Sequence, residues 1–219
     1  MCFSASASFA AGGFLLGLGV ITLKVARQPT EKPFAAIPLL FAVQQLSEGV
    51  IWWTFSHDAP LLNTVMSYVY SFFSHVLWPV YVPLAVLLIE PPGWRKKTLW
   101  GVVTIGIAVA SYLLYVMVMY SVVSRPIGQH IEYVSPHFFA ALTMTLYLIA
   151  TTASLLMSSH TRIRIFGAVS ILAFVAAYIF YAKWFISVWC FFAAVLSVLV
   201  YFYFESQGER SWQSRLKKM

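Results

Sequence analysis

Apolar residues follow one another along this chain in stretches of about 20, the length a helix needs to cross a hydrocarbon core. Short polar segments separate them. The pattern predicts helices over Phe9–Val25, Phe34–Phe55, Thr64–Ile89, Leu99–Val122, Pro136–Met157, Ile165–Tyr181 and Trp184–Phe204. The last two divide the stretch Ile165–Phe204, in which Lys183 is the single charged residue. One helix of that length would be about twice as long as a bilayer is thick, so a turn is expected at Lys183. The expected fold is all-α: a seven-transmembrane helix bundle over residues 1–204 and a basic cytoplasmic tail over 205–219.

Composition agrees. Of the 219 residues, 61% are hydrophobic and 10% charged, against about 25% charged in soluble domains. No cleavable leader is expected, because no short apolar core ends in an A-x-A site. The net charge of +7 could point to nucleic acid, but the basic residues sit between spans. Lys24, Arg27 and Lys32 fall in the first loop, Arg95, Lys96 and Lys97 in the third, Arg162 and Arg164 in the fifth. Arg210, Arg215, Lys217 and Lys218 lie in the tail. Only Arg125 and Lys183 lie on the other side, so nucleic acid is set aside. The positive-inside rule then puts the N-terminus outside and the C-terminus in the cytoplasm. Trp52, Trp53, Trp184 and Trp189 fall toward the outer ends and Trp94 and Trp212 toward the inner ends, as interfacial aromatics do.

Spans two and six align when Phe34 is laid on Phe166, with Trp52 then meeting Trp184. Spans three and seven align through Ser71–Trp78 and Cys190–Ser197. Chance similarity between Phe-, Ala-, Val- and Leu-rich segments is the alternative. A true repeat would give a three-plus-one-plus-three plan with a site where the halves meet. Small sugar-transporter-like and opsin-like proteins share that plan, a resemblance of architecture only.

The candidate chemistry lies in the second span, where Gln44, Gln45, Ser47 and Glu48 interrupt an apolar run. An ionisable group at membrane depth marks a functional site by default. By helical rise, Glu48 lies about 12 Å from the outer end of its span, His75 roughly 16 Å below Thr64, and Cys190 about 9 Å below Trp184. Cys2 and His137 start near the same surface. Gln44, Glu48 and Trp52 share one helix face, and Ser71, Ser74, His75 and Trp78 share another. Ser187, Cys190, Ala194 and Ser197 form a small polar stripe on the seventh. Pro38, Pro79 and Pro83 each remove a backbone hydrogen bond and can open carbonyls toward a cavity. An outward-facing pocket is therefore expected, with Gln44, Gln45, Glu48, Ser71, His75, Trp78 and Cys190 as ligand-binding residues. Glu48 and His75 could pair within it.

Other readings of the same residues stay open. The glutamines and Glu48 could be an interhelical hydrogen-bond network, His75 a structural histidine and Cys190 a packing residue. Cys2 and Cys190 could form a disulfide on an oxidising side. Carboxylate, imidazole and thiolate together suit a transition metal such as zinc, which makes Glu48, His75, Cys190 and Cys2 a candidate metal set. Lys183 reads as a snorkelling interfacial residue. The seventh span holds no deep lysine for a retinal Schiff base, so an opsin-type photoreceptor is excluded. The chain carries no H-E-x-x-H, G-x-S-x-G or P-loop motif. Its single aspartate, Asp58, is in a loop, unlike the aspartate of ceramidase-type hydrolases. Gly13-x-x-x-Gly17, with Gly12 and Gly19 beside it, permits close helix contact inside one chain or in a homo-oligomer.

The segments Cys2–Phe9, Pro33–Trp53, Leu77–Glu90 and Ser187–Ser197 resemble a family of small bacterial membrane proteins that begin Met-Cys-Phe-Ser-Ala. That resemblance implies a multi-pass protein of the cell inner membrane with a seven-helix body, and carries no activity. The expectation is a lipid-embedded protein that binds a small ligand for transport or sensing, with Glu48 bearing the charge. A membrane metalloprotein or metal-dependent enzyme, and a non-catalytic accessory subunit, are the competing expectations.

Overall fold

The computed structural model describes residues 4–135, 139–180 and 185–205. Its helices are α1 (Ala5–Val25), α2 (Pro29–Ser56), α3 (Pro60–Ile89), α4 (Trp94–Met119) and α5 (Ala140–Met157), then α6 (Thr161–Phe180) and α7 (Phe185–Leu196). The first six are long and apolar enough to cross a membrane. The first three helices begin at local signals. Ser4 caps α1 by accepting from the Ala7 N–H, and prolines stand in the first turns of α2 and α3, where their missing N–H costs nothing. A turn at Ser197 follows α7, and residues 198–205 are again helical.

Glycines fix the closest crossings. A Cβ on Gly12 would meet Leu46 at 2.7 Å, and one on Gly19 would meet the Leu39 backbone at 2.6 Å. The α1–α2 contact is thus made by Gly12 and Gly19, whereas Gly13 and Gly17 face open space. The glycine pair that the sequence singles out as a motif is not the pair that packs inside the chain.

One element departs from the expected all-helical fold. The hydropathy pattern predicts nothing regular between Val122 and Pro136, yet β1 (Val123–Ile127) and β2 (His130–Val134) form an antiparallel hairpin there. Gly128, at φ +60°, supplies the turn conformation that a side chain resists. Arg125 faces Glu132 across the strands. The hairpin docks on α2 and α3 through uncharged groups. Ser124 donates to Asn63 Oδ1 at 2.8 Å, and Asn63 donates to Thr54 at 2.8 Å. Ser67 donates to Ser124, also at 2.8 Å. Beneath this network Tyr133 stacks on Tyr70 with ring centres 4.5 Å apart, and Ile51, Tyr70 and Ile131 form a small apolar cluster of their own.

The hairpin defines one end of the bundle. Arg27 lies in a connection at the opposite, basic end, and Lys24, Lys32, Arg95, Lys96, Lys97, Arg162 and Arg164 lie in the helix turns beside those connections. Many large apolar side chains point outward, including Leu61, Val118 and Leu172. Such a surface would be a liability in water and is ordinary in lipid.

Candidate functional site

The polar residues of α2 turn inward. Gln44, Gln45 and Glu48 have no exposed surface at all, and Ser71 and Trp78 of α3 are nearly as buried. The expectation of a pocket open to the outside does not hold for these groups. Instead they form a layer inside the bundle, with the hairpin's apolar cluster on one side.

Gln44 and Trp78 meet directly: the indole Nε1 donates to Gln44 Oε1 at 2.7 Å. The Trp78 ring also stacks on Phe41 at 4.0 Å between centres. His75 is half-buried, with Nδ1 at 2.8 Å from Ser74 Oγ and 3.1 Å from the Ser71 carbonyl oxygen. A carbonyl only accepts, so this contact suits the tautomer with the proton on Nδ1. Other atoms of the layer find no hydrogen-bond partner among the described residues. These are Gln44 Nε2, both polar atoms of the Gln45 amide, and Ser71 Oγ.

Two helices are irregular near the layer and the cavity below it. Residues Phe72–Leu77 of α3 and Ile149–Ala153 of α5 are wound as π-helix, a local widening often found at functional sites. In α3 the widening and Pro79 act together. Trp78 N–H bonds the Phe73 carbonyl, five residues back. In that register the next donor, at position 79, would serve the Ser74 carbonyl, and proline has none. Tyr147 of α5 supplies the missing bond by donating its hydroxyl to the Ser74 carbonyl. Pro83 in turn withholds a donor from the Pro79 carbonyl, which points at Gly106 of α4, where a Cβ would collide with it. Prolines free these carbonyls as expected, but the carbonyls meet neighbouring helices and not a cavity.

Toward the basic end from Gln44 there is a cavity between α2, α3, α5, α6 and α7. Phe41, Trp78, Tyr147, Leu155, Phe166 and Trp189 contribute to its wall. It leaves about 40 Å3 for the centres of water-sized molecules, a few times what one water needs. Three hydroxyls in the wall are engaged with their own helices: Thr151 donates to Tyr147 O, Thr152 to Leu148 O and Ser170 to Phe166 O. The surface left to an occupant is apolar. Of the predicted ligand-binding residues whose side chains are described, Trp78 alone joins this cavity to the polar layer.

Among the described residues, no three His, Cys, Asp or Glu side chains are grouped closely enough to hold a metal ion. Cys2, His137 and Lys183 lie outside the described residues, as do the side chains of Cys190 and Ser187. The sequence reading overlooks a second buried carboxylate, Glu90, at the basic end. It accepts from Ser158 Oγ at 3.1 Å and from the Ser159 N–H at 3.0 Å, just ahead of α6, where negative charge suits a helix N-terminus. Its position at the C-terminal end of α3 was visible, but its partners are 68 and 69 residues away. Tyr147 is overlooked for the same reason.

The fold and the buried layer together define a helical, apolar protein of the membrane type. The chain belongs to a family of unknown function (DUF6629), whose model matches residues 1–215. No curated protein and no solved structure matches it.

Proposed function

We propose that this is a multi-pass protein of a bacterial inner membrane, with the hairpin end outside and the basic end in the cytoplasm. Its buried layer binds a small ligand for transport or sensing, with Glu48 as the charge-bearing group. The observation that carries the reading is Gln45. Its amide has no exposed surface and neither polar atom is bonded among the described residues. Leaving a buried polar group unbonded costs about 1–3 kcal/mol, and a chain that keeps one invites a functional explanation. Glu48, equally buried and three residues on, adds a carboxyl at the same level. The π-helical turn at Phe72–Leu77 supplies an element able to rewind around an occupant.

The test is the mass spectrum of the full chain purified from its own membranes. A small molecule retained by the wild type and lost from Glu48→Gln is expected. An identical set of bound molecules in both proteins overturns the reading.

A second reading has its own support. The Trp78–Gln44 and Tyr147–Ser74 bonds each tie two helices together, as a purely structural network would. An accessory subunit built this way retains no small molecule, co-purifies with a fixed partner chain, and loses only stability in Glu48→Gln.

A further inference from the structure

We propose that the cavity between α2, α3, α5, α6 and α7 is a binding site for a small uncharged apolar molecule of about the size of dioxygen. The site is separate from the buried polar layer, and it stands or falls independently of any ligand there.

Polarity of the wall comes first. Among the described residues, nitrogen and oxygen atoms contribute almost nothing to the surface of this cavity. Five donors carried by lining side chains are spent on the protein. Trp78 donates to Gln44 Oε1 and Tyr147 to the Ser74 carbonyl, while Thr151, Thr152 and Ser170 donate to carbonyls one turn back in their own helices. A buried water needs about two to four polar partners and would not find them at this wall. A charged group would be costlier still. A molecule without hydrogen-bonding groups loses nothing by entering, and the hydrocarbon of a bilayer dissolves such molecules better than water does.

Size sets the class of occupant. The room is about 40 Å3, against about 150 Å3 in an engineered apolar cavity that takes up benzene or xenon. That ratio leaves space for about two or three heavy atoms. Every described residue that lines the cavity is buried, with at most 8% of its surface exposed, so an occupant is held away from bulk water.

Empty space is costly in a packed interior, and side chains normally close on it. Here the wall is braced. The Trp78 ring is held by its bond to Gln44 at 2.7 Å and by stacking on Phe41 at 4.0 Å. Tyr147 is tied to α3 through its hydroxyl and packs edge-on against Trp189, with ring centres 5.6 Å apart. Thr151 and Thr152 belong to the π-helical turn Ile149–Ala153, a winding frequent at functional sites. Large rings pinned by partners outside the cavity do not collapse into it. The space is therefore preformed, as binding pockets usually are.

The experiment reads the two tryptophans described in the wall, Trp78 and Trp189. The full chain in lipid nanodiscs is held under nitrogen, dioxygen or xenon at rising pressure, and tryptophan emission and its lifetime are recorded. Dioxygen and xenon both quench on contact. A molecule already seated beside a ring removes emission without shortening the lifetime, whereas collisions in lipid shorten it. A lifetime-independent loss that saturates with pressure is expected for both gases. Ethane, which does not quench, should reverse it by competition. Methanol, close to ethane in size but carrying a hydroxyl, should not. Val82→Ile and Ser170→Thr each add one carbon to the wall, the second keeping its hydroxyl, and either should raise the half-saturating pressure by about tenfold or more. Emission loss matched throughout by shorter lifetimes overturns the proposal, because no molecule is then seated. A static loss that neither variant changes puts the gas elsewhere and overturns it too. Reversal by methanol as strong as that by ethane overturns the apolar class.

Discussion

Gln44 and Gln45 are adjacent, equally buried and oppositely bonded, so one substitution should act on them with opposite sign. Leucine is close to glutamine in size, and a change that conserves volume perturbs packing least. At Gln45 it removes an amide whose two polar atoms lack partners among the described residues. Relief of about 1–3 kcal/mol is expected. For a chain of 219 residues, each kcal/mol shifts the thermal midpoint by about 2–4 °C. At Gln44 the same change removes the acceptor of the Trp78 indole N–H, a bond of 2.7 Å in the core. That orphans a buried donor and should lower stability by about 0.6–2 kcal/mol, since polar contacts in membranes are worth somewhat less than in water. Thermal unfolding of both variants beside the wild type, in one nanodisc preparation, reads the two signs. Ligand retention should fall in both, so Gln45→Leu gains stability while losing its occupant, the usual trade between the two. A loss of stability in Gln45→Leu as large as that in Gln44→Leu would refute the reasoning, because it would show the Gln45 amide to be well bonded.

Other expectations follow from single contacts. Gly106→Ala must push α4 away from the Pro79 backbone and should cost about 1–3 kcal/mol of stability, read as a lower thermal midpoint, while Gly13→Ala, facing open space, should be neutral within about 0.5 kcal/mol. Tyr147→Phe strands the Ser74 carbonyl and should cost about 1–3 kcal/mol; Pro79→Ala restores a backbone donor there, so the same tyrosine change in that background should cost less. Partial burial in the hairpin lowers the pKa of His130 below its ordinary value near 6.5. The folded form is then the poorer base, so its stability is full above that value and declines as pH falls through it. Amide exchange in β1 and β2, corrected for intrinsic rates, should therefore quicken between pH 7 and pH 5, and equal protection at both would refute it.

Much of the fold could be read from hydropathy because each helix is a long apolar run ended by basic or turn-forming residues. Span ends fall within a few residues of the structure, as at Val25, Ile89 and Met157. The hairpin escaped because its strands are short and its apolar residues merge with those of neighbouring spans at Val122 and Pro136. The Gly128-Gln129 turn was its only local signal. Within the site, it was legible that Gln44, Gln45 and Glu48 face away from lipid, since exposure of such groups to hydrocarbon is costly; their complete burial, in place of an open pocket, was not. Which partner each would meet was not. Trp78 reaches Gln44 and Tyr147 reaches Ser74 across 34 and 73 residues, separations over which periodicity says nothing. Pro79 announced a stranded carbonyl, but not the tyrosine that would serve it.

The π-helical turn at Phe72–Leu77 has a consequence for how this chain tolerates changes of length. Each residue advances a regular helix by about 100°, and the widened turn accommodates one residue beyond what regular winding would use. A deletion of one residue there could heal the helix and leave its hydropathy nearly untouched. It would also swing Trp78 about a quarter-turn away from Gln44 and separate the two halves of α3 as functional surfaces. Sequence length in this short stretch, more than residue type, keeps the indole and the amide in register.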